Sequence, residues 1–266
     1  MILSLKLIVI LIYTVGMSAF EGGPKRVQSP KKDSWKPGDP QPHPYQGSSF
    51  TTFNPQEIAS SYFLGISGVV PRPIALTSTV SSKGQRNVAP FSYFNIVAHN
   101  PPTLVIGICR KLDGSKKDTL VNIEETGEFV VNIISDWMVE AANHCCGDFP
   151  FEVDEMELSG LTPLPSEVVA PPRIGESAFH MECKHTHSQE ILSDSGAVTT
   201  TVVFGRVVRF HVIENLVEAG INTLLNTIVC TITCPIGSLT HHHYYCHIIN
   251  IIIIITRAKR FTSSQL

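Results

Sequence analysis

Charge is scarce in this chain: only 16% of residues are Asp, Glu, Lys or Arg, and the formal net charge is −3. No basic run is long enough to hold a nucleic-acid backbone, so nucleic acid is not expected as a partner. No G-x-G-x-x-G follows a candidate strand, which argues against a Rossmann nicotinamide domain. No catalytic triad is apparent and no internal repeat is visible, so neither triad hydrolysis nor a repeat architecture is expected. The cysteine count, seven, is odd, and Cys145 and Cys146 are adjacent. That is no disulfide framework; it reads as reduced thiols inside a cell. The apolar start, residues 1–16, is too short for a membrane span, so no membrane is expected as a partner.

What is present is enough for a sizeable core. The apolar share is 43% and the 266 residues fit one large domain or one and a half average ones. Four segments are expected. Residues 1–16 are an apolar extension, either signal-like or a mis-called start upstream of Met17. Residues 17–49 are a Pro- and Gly-rich arm. Residues 50–220 form the folded domain. Residues 221–266 are a divergent tail, read as a mis-spliced or read-through end or else as a native edge strand, that includes the β-prone run Ile251 to Ile255. The protein is expected in the cytoplasm, or secreted if residues 1–16 are a true signal.

Within the domain, Asn54 and Pro55 predict a helix start, with an end by Gly65 or Gly68. Ile74 to Val80 and Asn87 to Val97 predict strands around a Ser82-Lys83-Gly84-Gln85 turn. A third strand is predicted over Thr103 to Cys109 and another over Glu128 to Ile134. Asp118 predicts the cap of a helix running to about Thr126 and stopped by Gly127. Asp136 predicts a second helix to about Cys146. Pro163 to Gly175 reads as loop, then Ser177 to His185 and Ala197 to Val212 as long strands. Six or so strands with short helices point to a mainly antiparallel barrel, not alternating βαβ units.

Two stretches carry chemistry. Val70 to Asn95 threads Arg72, Ser78, Thr79, Asn87 and Ser92 through two apolar runs. Pro71 and Pro73 bracket Arg72 and hold it extended, so its backbone can lie along a ring edge while its guanidinium meets a phosphate or an electron-rich ring end. Ser78 and Thr79 lie on opposite faces of a strand, so only one can face a groove. Phe91, Tyr93 and Phe94 offer planar surfaces. Further on, Lys116, Lys117 and Thr119 surround a helix start, where free backbone N–H groups and the helix dipole favour an anion. The blander reading is an ordinary solvated turn and ordinary strand polar residues; each residue taken singly favours it, and only the combination speaks for a ring slot with a separate phosphate socket.

The order PRPIALTST, NVAPFSYFN, a Pro-Pro before a strand, KDT followed by NI, EFVVNI and FGRVVRFHV resembles the flavin reductase-like, FMN-binding split-barrel family. The resemblance implies a mainly β, antiparallel split β-barrel with a few short peripheral helices. It implies FMN as cofactor, NADH or NADPH as co-substrate, a small-molecule electron acceptor and a homodimer with the flavin at its interface. Carried over position by position, Arg72, Pro73 and Ile74 edge the ring, and Ser78 and Thr79 approach ring or ribityl. Asn87, Ala89, Pro90 and Ser92 take ring and side chain, and Lys117, Asp118 and Thr119 the phosphate. The tail after Gly220 does not resemble the family's continuation.

The expected activity is hydride transfer from NAD(P)H through flavin, with no catalytic side chain assigned. A non-catalytic FMN carrier or partner subunit has the same groove and stays open. His211 and Arg206 are read as core or surface residues ahead of nicotinamide contacts. A zinc site at Cys230, Cys234, His241 to His243 and Cys246 has suitable ligand types but matches no common spacing, so no metal is expected.

Overall fold

The computed structural model describes residues 36–40, 47–58 and 61–216. The expectations for residues 1–16 and 221–266, the zinc-type residues included, lie outside them. The described residues fall into two compact units, one up to Gly65 and one from Ile66 onward. In the first, Asn54 shapes a turn: its Oδ1 accepts from Gln56 N at 3.1 Å and its Nδ2 donates to Glu57 Oε1 at 2.8 Å. A turn stands where a helix start was expected, and helix α1 spans Ser61–Gly68. The Asn54 bonds are those of a helix cap, but residues 55–57 form only a turn after it.

The second unit is built on one seven-stranded antiparallel sheet. Its strands are β1 (Ala75–Val80), β2 (Arg86–Phe91), β3 (Phe94–His99), β4 (Pro102–Cys109), β5 (Glu128–Ile133), β8 (Phe179–Leu192) and β9 (Val198–Val212). They lie in the order β2-β1-β5-β8-β9-β4-β3. The two edge strands, β2 and β3, are consecutive in sequence, with only Ser92 and Tyr93 between them. Three Cα steps reach at most about 11 Å. The sheet must therefore curl until its edges meet at that corner. Tyr93 O accepts the Gly107 N–H at 2.7 Å, stitching the corner to β4. A Cβ on Gly107 would stand 3.0 Å from Tyr93 Cβ, so glycine permits the approach. The expected continuous strand from Asn87 to Val97 is thus two strands joined by a corner. The mainly β antiparallel barrel with short helices is as expected.

Helices α2 (Asp118–Thr126), α3 (Val139–His144) and α4 (Glu155–Leu158) flank the sheet, and a 3₁₀ turn at Asp136–Met138 precedes α3. The second helix is therefore shorter than predicted and enters through a 3₁₀ turn. The Pro-rich stretch holds a small ladder, β6 (Pro163–Leu164) with β7 (Arg173–Ile174), where only loop was expected.

Alternation along the strands makes two cores. The first gathers Ala75, Leu104, Ile106, Phe129, Val131, Met181 and Val203, with Leu120 and Ile123 of α2 packed onto them. The second joins Ile74, Leu76, Val88 and Ile134 to Met138, Ala142 and Met156 on the helical side. β1 belongs to both, so both its faces are buried. Its three successive hydroxyls, Thr77, Ser78 and Thr79, are each 0% exposed. A buried hydroxyl costs free energy unless it is bonded, and that requirement shapes the site.

The loop between β6 and β7 is strapped down by carboxylates. Glu182, fully buried, accepts from the backbone N–H groups of Glu167 and Val168 at 2.7 Å and of Val169 at 3.2 Å. Burial alone would push its pKa up; the Glu167 N–H, His211 and the Val168 N–H outweigh it and hold it below the usual range. His211 Nε2 lies 2.6 Å from Glu182 Oε1, a structural role, while Arg206 is exposed on β9. Among the described residues no helix is long and apolar enough to cross a membrane.

Candidate cofactor-binding site

The strand and helix residues singled out by the sequence meet at the start of α2. Asn87, on β2, donates from Nδ2 to Thr119 Oγ1 at 2.9 Å and to Thr79 Oγ1 at 3.4 Å. Thr79 is the cross-strand partner of Asn87 in the β1–β2 ladder. Asn122, one turn beyond Thr119, donates from Nδ2 to Thr79 Oγ1 at 3.0 Å. Three residues proposed from sequence, Thr79, Asn87 and Thr119, thus form one buried cluster with Asn122. A polar residue at mid-helix between Val121 and Ile123 was the available signal for Asn122.

Ser78 points the other way, as alternation demands. Its Oγ donates to Pro172 O at 2.5 Å and accepts from Asn132 Nδ2 at 3.3 Å. Asn132 also donates to Leu76 O at 2.9 Å and accepts from Ile174 N at 2.9 Å. Asn132 is polar in the middle of EFVVNI, a signal that sequence reasoning left unused. Ile74 is a core residue, 2% exposed. Pro73, Ala89, Pro90 and Ser92 are half-buried, the last at the corner between β2 and β3.

The start of α2 differs from the capping expected. Lys117, exposed, occupies the N-cap position in an extended conformation, φ −71° and ψ 152°, with no side-chain cap bond. Asp118 lies in the first turn and pairs with Lys111 Nζ at 3.1 Å. Lys116 is drawn to Glu124 at 2.5 Å. Gly127 ends the helix as expected, at φ 72°, its N–H bonded to Ile123 O at 2.8 Å.

Arg72 is 7% exposed. Its Nη1 donates to the carbonyls of Ile66 and Val69, the latter at 3.0 Å. Its Nε and Nη2 are buried without a partner. Unspent donors on a buried cation are unusual and favour a ligand with acceptors. Burial pushes the Tyr93 phenol up, Cys109 adds to the rise, and Arg72 opposes it, so the three share an electrostatic neighbourhood.

A carboxyl missed from sequence stands near the same strands. Glu155 on α4 is 5% exposed and its Oε2 accepts the Val88 N–H at 3.2 Å. Burial pushes its pKa up, its own and the Val88 N–H oppose this, and Asp118 and Asp154 add to the rise. The pairing covers the outer side of edge strand β2 at Val88, and Pro90 on the same strand has no N–H to offer. Among the described residues no group of three or more His, Cys, Asp or Glu is placed to hold a metal ion.

Known proteins are similar to much of this chain. An uncharacterized protein of Halalkalibacterium halodurans is 40% identical over 169 residues, which are 63% of this chain and 81% of that protein. The crystal structure of nitrilotriacetate monooxygenase component B from Bacillus cereus is 38% identical with a TM-score of 0.61, covering 65% of this chain and 86% of that one. The 2-nitrobenzoate 2-nitroreductase NbaA of Pseudomonas fluorescens is 32% identical with a TM-score of 0.56, over 63% and 79% of the two chains. The flavin reductase like domain matches residues 67–231, more than half of the sequence, and so takes in the barrel, the corner and the start of α2. The chain belongs to the flavin reductase-like family of split-barrel flavoproteins.

Proposed function

We propose that this protein is an FMN-dependent oxidoreductase that takes hydride from NADH or NADPH and passes it to a small-molecule acceptor. The observation that carries the reading is the 2.9 Å bond from Asn87 to Thr119, which ties the ring-side strands to the helix start. The residues fit a flavin in three respects. Arg72 keeps two buried donors unspent. Lys117 stands exposed at the mouth of a nine-residue helix. Pro73, Ala89, Pro90 and Ser92 are half-buried, leaving surface for a flat ring.

In this reading Arg72 and Pro73 line the ring edge with Ile74 anchoring them in the core behind, and Arg72 offers Nε and Nη2 to its electron-rich end. Ala89, Pro90 and Ser92 border the ring and its side chain, and Thr79 and Asn87 support them from below. Ser78, turned toward Pro172, supports the ring-side backbone from the opposite face. Lys117, Asp118 and Thr119 hold the phosphate through the dipole and N–H groups of α2 and the Lys117 charge, with the Thr119 hydroxyl bonded to Asn87 behind them. Asp118 helps by fixing Lys111 beside the socket, at 3.1 Å. Flavin, when bound, supplies the two-electron chemistry. The protein's part is to bind, orient and exclude water, so no acid–base side chain is assigned. The working unit is a homodimer: Ile96, Val97, Ile191 and Leu192 are exposed on β3 and β8, apolar surface that a second copy would cover.

A second reading is supported by the similarity to a protein named as component B of a monooxygenase. Here the chain is a flavin carrier or reductase subunit serving a partner enzyme. The test is to purify the full chain, add FMN, remove excess, and mix anaerobically with NADH and with NADPH. Retained yellow colour that bleaches with either nucleotide supports the oxidoreductase. Retained colour without bleaching favours the carrier, and a colourless protein contradicts both.

A further inference from the structure

We infer that Asn122 is a positioning residue that sets the height of the phosphate socket relative to the ring-side strands; the inference rests on the flavin reading above. Thr119 and Asn122 are three apart on α2 and so share one face. Thr79 and Asn87 are direct partners in the β1–β2 ladder. The four side chains form a two-by-two box: Asn87 to Thr119 at 2.9 Å, Asn122 to Thr79 at 3.0 Å, and Asn87 to Thr79 at 3.4 Å. None is more than 7% exposed.

The surroundings of this box are apolar. Leu120 and Ile123 pack on the barrel core beside it. Apolar contact between a helix and a sheet tolerates sliding and repacking, whereas hydrogen bonds across it are lost on small shifts. The box therefore pins helix to strands. Thr119 pins the first turn directly, and Asn122 pins the second, so the helix axis cannot pivot about one bond. Removing Asn122 leaves Thr119 as the one buried anchor of the box, because the Ser82 to Glu125 bond at 2.9 Å is exposed, and the N–H groups at the helix start can tilt away from the ring slot.

Asn122 carries a further mark of this role. Its Oδ1 is buried with no partner. An unpartnered buried acceptor is destabilising, and an aliphatic side chain of similar volume would avoid it. An amide held in that position at a cost to stability fits a geometric task better than a packing one.

The test uses the full chain with FMN and with riboflavin, which shares the ring and ribityl but lacks the phosphate. Asn122→Leu removes the amide at similar volume, and Asn122→Ala removes it without risk of overpacking. Should the leucine variant not fold, the alanine variant decides by the same criterion. The expected result is FMN binding weakened about tenfold, as the loss of one positional hydrogen bond would give, with riboflavin affinity changed by less than about threefold. General destabilisation would not move that ratio. Equal weakening for both ligands, or no change for either, overturns the inference while leaving the flavin reading standing. A native protein that binds neither ligand overturns the reading itself and the inference with it.

Discussion

Arg72→Met separates ligand binding from folding at one position. The guanidinium is 7% exposed, and only Nη1 is bonded, to the carbonyls of Ile66 and Val69. Those two charge-assisted bonds contribute about 1.5–3 kcal/mol each, and the two buried donors without partners cost about 1–3 kcal/mol each. The sums nearly cancel. Methionine fills similar space without polar atoms, so the flavin-free variant should melt within about 4 °C of the native protein. A buried arginine with every donor paired would instead cost about 3–5 kcal/mol on truncation. With FMN at a hundred times its Kd, the native protein gains about 2.7 kcal/mol. That is a rise of about 5–10 °C for a domain of this size. Two lost charge-assisted bonds weaken binding by about a hundredfold or more, so at the same FMN concentration the variant gains less than about 0.5 kcal/mol. Differential scanning fluorimetry with and without FMN measures both quantities. A flavin-free variant that melts more than about 10 °C lower, with its FMN-induced rise intact, would refute the reasoning and make Arg72 a structural residue.

Three further outcomes are expected. His180 is buried, which holds its pKa below the ordinary imidazole value against the opposing bond to Ile174 O. The unfolded chain therefore binds the proton more readily, and stability falls as pH drops below about 6.5; His180→Gln should flatten that slope in urea titrations at about pH 7.5 and 5.5. Gly205→Ala places a Cβ 2.3 Å from Phe129 Cζ, and Phe129 is 0% exposed, so β9 or the ring must move. The cost should be about 1–3 kcal/mol, read as a fall in the urea midpoint, and an unchanged midpoint would contradict the packing described. Lys117→Ala should weaken FMN more at low salt than at high salt and leave riboflavin unaffected, because its charge is exposed and screened; isothermal titration at two ionic strengths checks this.

The legible parts of the fold are those where burial alternates. TTTVVFGRVVRFHV reads as a strand, and β9 spans Val198–Val212. EFVVNI forms β5 by a different signal, a short apolar run buried on both faces. The far half of β8 was missed because His185 to Leu192 lies mostly exposed, paired with β9 on one side and beyond the reach of β5 on the other, where no face needs apolar residues. The corner at Ser92 and Tyr93 was hidden because Ser92 alone breaks an apolar run from Val88 to Phe94; it is set by edge-to-edge closure of the whole sheet, which local pattern does not encode. Asn54 gave a helix signal through its type, yet its side chain closes a turn instead.

The site divides in the same way. Thr79, Asn87 and Thr119 were named because their order resembles a family pattern, and the structure brings them into one cluster. Their mutual burial was not foreseen, since Asn87 and Thr119 are 32 residues apart. Asp118 was read as a cap from its type; the backbone gives that position to Lys117, and Asp118 pairs with Lys111. Asn122 and Asn132 stand in the quoted motifs without a role, and Glu155 in none, because each finds its partner across a long separation, where only the folded chain makes the amide or carboxyl useful.

Hydrogen exchange of the full chain with and without FMN reads out whether the ring-side strands and the start of α2 hold one flavin. Exchange should slow on FMN addition in residues 72–80, 86–93 and 117–122, with riboflavin reproducing the first two segments and not the third. Protection confined to other segments, or none at saturating FMN, would contradict it.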